Sequence, residues 1–228
     1  MNKRMRGVIG IAAIAFCLFL TAGSADAGLG FSPHSSAVCS DCHAGGFQAG
    51  LYAIAEHFGL DGEGFFQAAT EAVYRSGYVT GTGTETDFWE LVRAGSGIVA
   101  SDEELRQEIL CRFIPRPWML EIVRAVRRQG CIAAILSDQS DWLDRLDRVH
   151  HFSHEFDRVF NSYHLGKTKR DPTIFDDTVN GLRVAAQQTL FVDDNPDHIE
   201  RAAAKGLNTL QYRNRATFEK EMQRYSLL

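Results

Sequence analysis

From Leu51 onward the chain alternates between two spacings of apolar residues. Leu51, Ile54, Ala55 and Phe58 recur at i, i+3, i+4 and i+7, and Gly59 closes the pattern. That spacing is one face of an amphipathic helix with a glycine stop. Similar spacing predicts helices near 63–76, 84–94 and 101–112, and Thr84 or Thr86 can cap the third. From Pro115 the pattern changes. Met119, Ile122, Val123 and Val126 line a helical face, and the unbroken apolar run Cys131–Leu136 follows it. Such a run suits a strand buried on both sides. A helix near 140–148, a short strand at Val159-Phe160, a helix near 172–181, a strand at 189–192, a helix from Pro196 to Lys205 and a strand at 207–212 complete the alternation. Asn195 is placed to cap the helix that begins with Pro196. Repeated strand–helix units predict an α/β fold with a doubly wound parallel sheet.

The N-terminus follows neither pattern. Lys3, Arg4 and Arg6 precede an apolar stretch from Val8 to Leu20, and Ser24-Ala25-Asp26-Ala27 ends in an Ala-x-Ala motif. This is the layout of a cleavable export signal, and the run is shorter than the ~20 residues of a membrane-spanning helix. The expected organisation is a signal peptide at 1–27, a linker at 28–50, a helical layer at 51–114 and an α/β core at 115–228, in a protein exported to a bacterial periplasm. Composition adds little: 45% hydrophobic and 23% charged residues are ordinary for a globular chain. A net charge of −5 gives no electrostatic reason to bind nucleic acid. Of the five cysteines, Cys17 lies in the leader, and Cys111 and Cys131 sit in apolar surroundings as buried thiols do. His150, His151 and His154 read as a polar helix end.

Chemistry concentrates where strands end, as open parallel sheets require. Ser137 follows one apolar strand, Asp193 and Asp194 follow another, and Lys169 lies in the loop "LGKTKRDPTIF" between them. A hydroxyl, an ammonium group and two carboxylates suit a phosphate ester held with a hard divalent cation such as Mg²⁺. Adjacent acids behind a buried strand repel each other unless a cation or ligand offsets the charge.

The stretches "AAILSDQSDWLD", "FDRVFNSYHLGKTKRDPTIF" and "TLFVDDNPDHIERAAAKGL" resemble, in order and spacing, three motifs of the haloacid dehalogenase-like (HAD) hydrolases. The resemblance covers about residues 47–228. It implies a Rossmann-like core with a small helical cap, and hydrolysis of small phosphate esters. It also implies that Ser137 binds phosphate, that Lys169 stabilises a phosphorylated intermediate, and that Asp193 and Asp194 hold Mg²⁺.

The family's remaining element is a nucleophilic aspartate at the end of the central strand. The acid nearest the cap is Asp41, inside Cys39-Ser40-Asp41-Cys42-His43. As a nucleophile it would have "SSAVCS" as its strand and His43 as an acid/base neighbour. The same residues form CxxCH, in which Cys39 and Cys42 would attach haem c and His43 would ligate iron, implying a redox partner. A third reading is a cytochrome-like segment that has replaced the first motif and carries neither chemistry. Whichever applies, residues 36–41 are the expected occupants of the central strand position.

Overall fold

The computed structural model describes residues 13–16, 20–21 and 46–225. The strands β1 (Ala13–Phe16) and β2 (Leu20–Thr21) come first. Four helices follow: α1 (Gly46–His57), α2 (Gly62–Arg75), α3 (Glu85–Ser96) and α4 (Asp102–Leu110). The remainder alternates: β3 (Ile114–Pro115), α5 (Pro117–Arg128), β4 (Ile132–Ser137), α6 (Trp142–His150), β5 (Arg158–Asn161), α7 (Ser162–Leu165), α8 (Thr173–Leu182), β6 (Thr189–Asp193), α9 (Pro196–Ala204), β7 (Asn208–Gln211) and α10 (Arg215–Arg224). The fold is the expected α/β arrangement. Five strands lie in the order β5-β4-β1-β6-β7, and every neighbouring pair is parallel.

Burial along the strands shows why the sheet must be covered twice. On β4, Ala133 and Ile135 join the core beneath α5 and the cap, whereas Leu136 packs with α8 residues Ile174, Phe175 and Val179. On β6, Leu190 and Val192 face the first core and Phe191 the second. Alternate residues thus enter opposite cores, and neither face tolerates polar side chains. This is the physical origin of the unbroken apolar runs.

The central position corrects one expectation. It is held not by 36–41 but by Ala13–Phe16, where Ala13 pairs with Ile132 and Thr189, and Phe16 with Ile135 and Val192. The physical reason lies in composition. A strand set between two parallel strands that are themselves buried on both faces needs a continuous apolar run, which 13–16 supplies and "SSAVCS" does not. The stretch that reads as an export leader therefore includes the middle of the sheet. Just beyond it, β2 pairs antiparallel with β3.

The four cap helices were legible as amphipathic patterns, and α1 begins at Gly46, earlier than the expected Leu51. Thr84 caps α3 in a reciprocal capping box with Asp87, and Ser101 does the same for α4 with Glu104. At Gly50 the α1 and α4 backbones approach so closely that a Cβ would sit 2.6 Å from Ile109 Cα. Gly59 takes φ +66° after α1, the left-handed conformation that its lack of a side chain permits. Cys131 is buried as expected, while Cys111 is only half-buried and its thiol is raised by burial.

Candidate active site

β4 and β6 flank β1 and run parallel to it, so their carboxyl ends open on the same side of the sheet. Ser137 closes β4, and Asp193 closes β6. Beyond β6, Asn195 caps α9 by accepting from the Asp197 N–H, and Pro196 occupies the first turn. This turn holds Asp193 in place: its Oδ1 accepts the Asn195 N–H at 2.8 Å and lies 3.3 Å from His198 Nδ1.

Lys169 reaches Asp193 from the loop between α7 and α8. Its Nζ donates to Asp193 Oδ2 at 2.7 Å, and the two side chains are only 2% and 1% exposed. Burial alone would push the Asp193 carboxyl up. The Lys169 charge and the His198 contact more than reverse this and hold it well below the usual carboxylate range. Asp194 behaves oppositely. It stands at the rim with solvent access, but the protein packed around its carboxyl, and then the negative charge of Asp193, raise its pKa.

Asp138, next to Ser137, escaped the sequence reading. Its two carboxylate oxygens accept the Lys169 backbone N–H at 2.9 and 3.1 Å, which fixes the loop that carries the lysine. The available signal was an acid directly behind the hydroxyl at a strand end. His198 was missed as well, because only the turn into α9 brings it back onto Asp193.

The cap closes over this end of the sheet. Tyr74 of α2 donates to Asp138 Oδ2 at 3.4 Å, and the Arg170 guanidinium stacks 3.4 Å from the centre of the Tyr74 ring. Burial, followed by the charge of Asp138, pushes the Tyr74 hydroxyl up to about 12. Tyr78 donates to Asp141, Ser162 Oγ donates to the Val79 carbonyl at 2.7 Å, and Arg145 of α6 lies 3.5 Å from Glu85 of α3.

Lys169 and Asp193 thus meet, Asp194 follows Asp193 at the rim, and Ser137 ends β4 on the same edge of the sheet. Cys39, Asp41, Cys42 and His43 lie outside the described residues. Among the described residues no group of three or more His, Cys, Asp and Glu is placed to hold a metal ion. No described helix is long and apolar enough to cross a membrane.

A family model described as haloacid dehalogenase-like hydrolase matches residues 33–206, well over half of the chain. The chain belongs to this family of hydrolases. Among curated proteins it is 38% identical over 66 residues to a D-ribitol-5-phosphate phosphatase of Bacteroides thetaiotaomicron, covering 29% of this chain and 32% of that protein. It is 26% identical over 129 residues to the bifunctional epoxide hydrolase 2 of Rattus norvegicus, covering 54% of this chain and 23% of the rat protein. The alignments thus span about a third or less of these relatives. Among solved structures, a HAD-family enzyme from Bacteroides thetaiotaomicron superposes with a TM-score of 0.64 at 15% identity, covering 90% and 95% of the two chains. The same enzyme solved with magnesium and inorganic phosphate gives 0.58 at 18% identity, covering 90% and 96%. The L-2-haloacid dehalogenase of Xanthobacter autotrophicus, with chloropropionic acid covalently bound, gives 0.60 at 16% identity, covering 96% and 85%. At these identities the structural likeness speaks for the fold.

Proposed function

We propose that this hydrolase is an Mg²⁺-dependent phosphatase acting on small phosphate esters. The observation that carries the reading is the buried Lys169–Asp193 pair, with Asp194 next in the chain and Ser137 at the same edge of the sheet. Ser137 and Lys169 hold the phosphoryl oxygens, the first by its hydroxyl and the second by its positive charge. Asp138 keeps Lys169 at the right depth by gripping its backbone. Asp193 and Asp194 hold the metal. The residues fit that ion: they are oxygen donors, and Asp194, whose pKa is raised by burial first and by the charge of Asp193 second, gains from a divalent cation beside it. When bound, Mg²⁺ neutralises developing charge on the phosphoryl group. A related protein named as a phosphatase and a neighbour solved with magnesium and phosphate support the same reading.

The attacking carboxylate is not delivered by the central strand. Phe16 ends β1, and Cys17 follows it in the sequence. Between Phe16 and Gly46 the acids are Asp26 and Asp41. With Ala13–Phe16 as the central strand, no strand end points to Asp41, which stays the proposed nucleophile only as one of these two acids, to be separated from Asp26 by substitution. The test is hydrolysis of p-nitrophenyl phosphate by the full chain. The expected result is release that stops with EDTA, returns with Mg²⁺ and falls sharply in Asp194→Asn. Release indifferent to EDTA and to that substitution overturns the reading.

A further inference from the structure

Glu71 and Tyr74 stand three residues apart on α2 and so share one face of the helix. That face meets the loop carrying Lys169. The Arg170 guanidinium lies over the Tyr74 ring, 3.4 Å from its centre, and comes within 3.8 Å of the Glu71 carboxylate. The hydroxyl of the same ring reaches Asp138 Oδ2, and Asp138 receives the Lys169 backbone N–H on both carboxylate oxygens. One cap side chain therefore touches the residue after Lys169 and also the residue that holds the Lys169 backbone. The three contacts differ in strength. The Arg170 and Glu71 side chains stay 49% and 57% exposed, so an ion pair at 3.8 Å contributes little. The phenol–carboxylate contact, at 3.4 Å, is longer than a good O–H···O bond. The guanidinium on the ring is the tight contact, and its planar, weakly hydrated cation suits an aromatic face.

Lys169 needs such anchoring because it sits in a loop, between α7 and α8, and not on the sheet. Its ammonium group must stay 2.7 Å from Asp193 while its backbone is held only by its neighbours. Asp138 supplies the core-side anchor, and Arg170 on Tyr74 supplies the cap-side one. Building on the phosphatase reading, we propose that Arg170 and Tyr74 are positioning residues, through which helix α2 fixes the backbone of Lys169 and hence the reach of its charge toward the phosphoryl group. Neither touches a reacting atom. Their effect therefore belongs to the turnover step, where the lysine acts, and not to the capture of substrate.

The experiment measures kcat and KM of the full chain with Mg²⁺ on p-nitrophenyl phosphate, for the wild type, Arg170→Gln, Tyr74→Leu, Tyr74→Phe and the double variant Arg170→Gln/Tyr74→Leu. Arg170→Gln is expected to lower kcat about fivefold, the worth of one cation–π contact at a half-exposed site, with KM within about twofold. Tyr74→Phe keeps the ring under the guanidinium and most of kcat. The double variant falls no further than the weaker single variant, because both remove one shared contact. Timed trypsin digestion, with cleavage after Lys169 followed by mass spectrometry, reads the loop without reference to activity, and Tyr74→Leu and Arg170→Gln are expected to be cut there about fivefold faster than wild type. Should Tyr74→Leu not fold, Arg170→Gln, altered at a half-exposed side chain, carries both measurements. A kcat within twofold of wild type in Arg170→Gln, a loss confined to KM, additive losses in the double variant, or unchanged cleavage after Lys169 overturns the inference and leaves the phosphatase reading intact. A wild-type chain inactive on the ester overturns the phosphatase reading, and the cleavage rates then decide alone whether α2 anchors the lysine loop.

Discussion

Replacing Lys169 with Met removes the positive half of a buried pair and keeps most of the side-chain volume. The Nζ–Oδ2 distance is 2.7 Å, and solvent reaches neither partner. What remains is Asp193, held by the Asn195 N–H at 2.8 Å and by His198 at 3.3 Å. Stripping one partner from a buried pair costs about 3–5 kcal/mol, because an uncompensated charge is left behind. With a urea slope of about 2–3 kcal/mol per molar, the unfolding midpoint moves down by about 1–2.5 M. The sign of the pH dependence follows from Asp193. Its depressed pKa contributes stability above the unfolded carboxylate value, and that stability is lost as pH falls through the folded value. The variant lacks this contribution, and its buried carboxylate takes up a proton readily. Its deficit is therefore full at pH 7 and has begun to shrink by about pH 3, below the ordinary carboxylate value of about 4. Urea melts of both proteins at the two pH values measure this, and Lys169→Met/Asp193→Leu is expected to recover much of the loss. A deficit under about 1 kcal/mol at pH 7, or one that does not shrink in acid, refutes the argument.

Three further outcomes are expected. Asp41→Asn lowers phosphate-ester turnover by at least about a thousandfold while Asp26→Asn does not, as steady-state kinetics will show. Gly50→Ala drives a methyl group into the Ile109 backbone and costs about 1–3 kcal/mol in denaturant melts, although alanine is the better helix former. Tyr74 titrates near 12 instead of 10, so ultraviolet titration of Tyr74→Phe loses a phenol from the late phase of the curve. Because its folded pKa is raised, Tyr74 contributes stability that is complete below pH 10 and lost as pH climbs toward 12, and the Phe variant falls less steeply across that window.

The rear half of the chain was legible because its constraints are local. The runs that became β4 and β6 are buried on both faces, and Ser137 and Asp193 end those strands as open parallel sheets require. The capping boxes at Thr84 and Ser101 are likewise written within four residues. What escaped depends on distance. Asp138 matters because Lys169, far along the chain, turns its backbone toward it, and His198 matters because a tight turn brings it back to Asp193. The central strand escaped for a different reason. An apolar run behind basic residues and ahead of Ala-x-Ala satisfies the requirements of an export signal and of a twice-covered strand alike. Residues 36–41 were assigned to the slot only by their position before the cap, without an apolar run to earn it.

That overlap sets two destinies against each other at the moment of synthesis. A processing cut behind Ala27 would carry off Ala13–Phe16 and Leu20–Thr21 together. The facing edges of β4 and β6 would then lose their ladder partner, and β3 would lose the strand it pairs with. Each backbone donor or acceptor left buried and unmatched costs about 1–3 kcal/mol, and several such losses rival the ~5–15 kcal/mol that keeps an ordinary domain folded. Were export machinery to take the segment, no sheet could be wrapped around it, since a single molecule cannot do both.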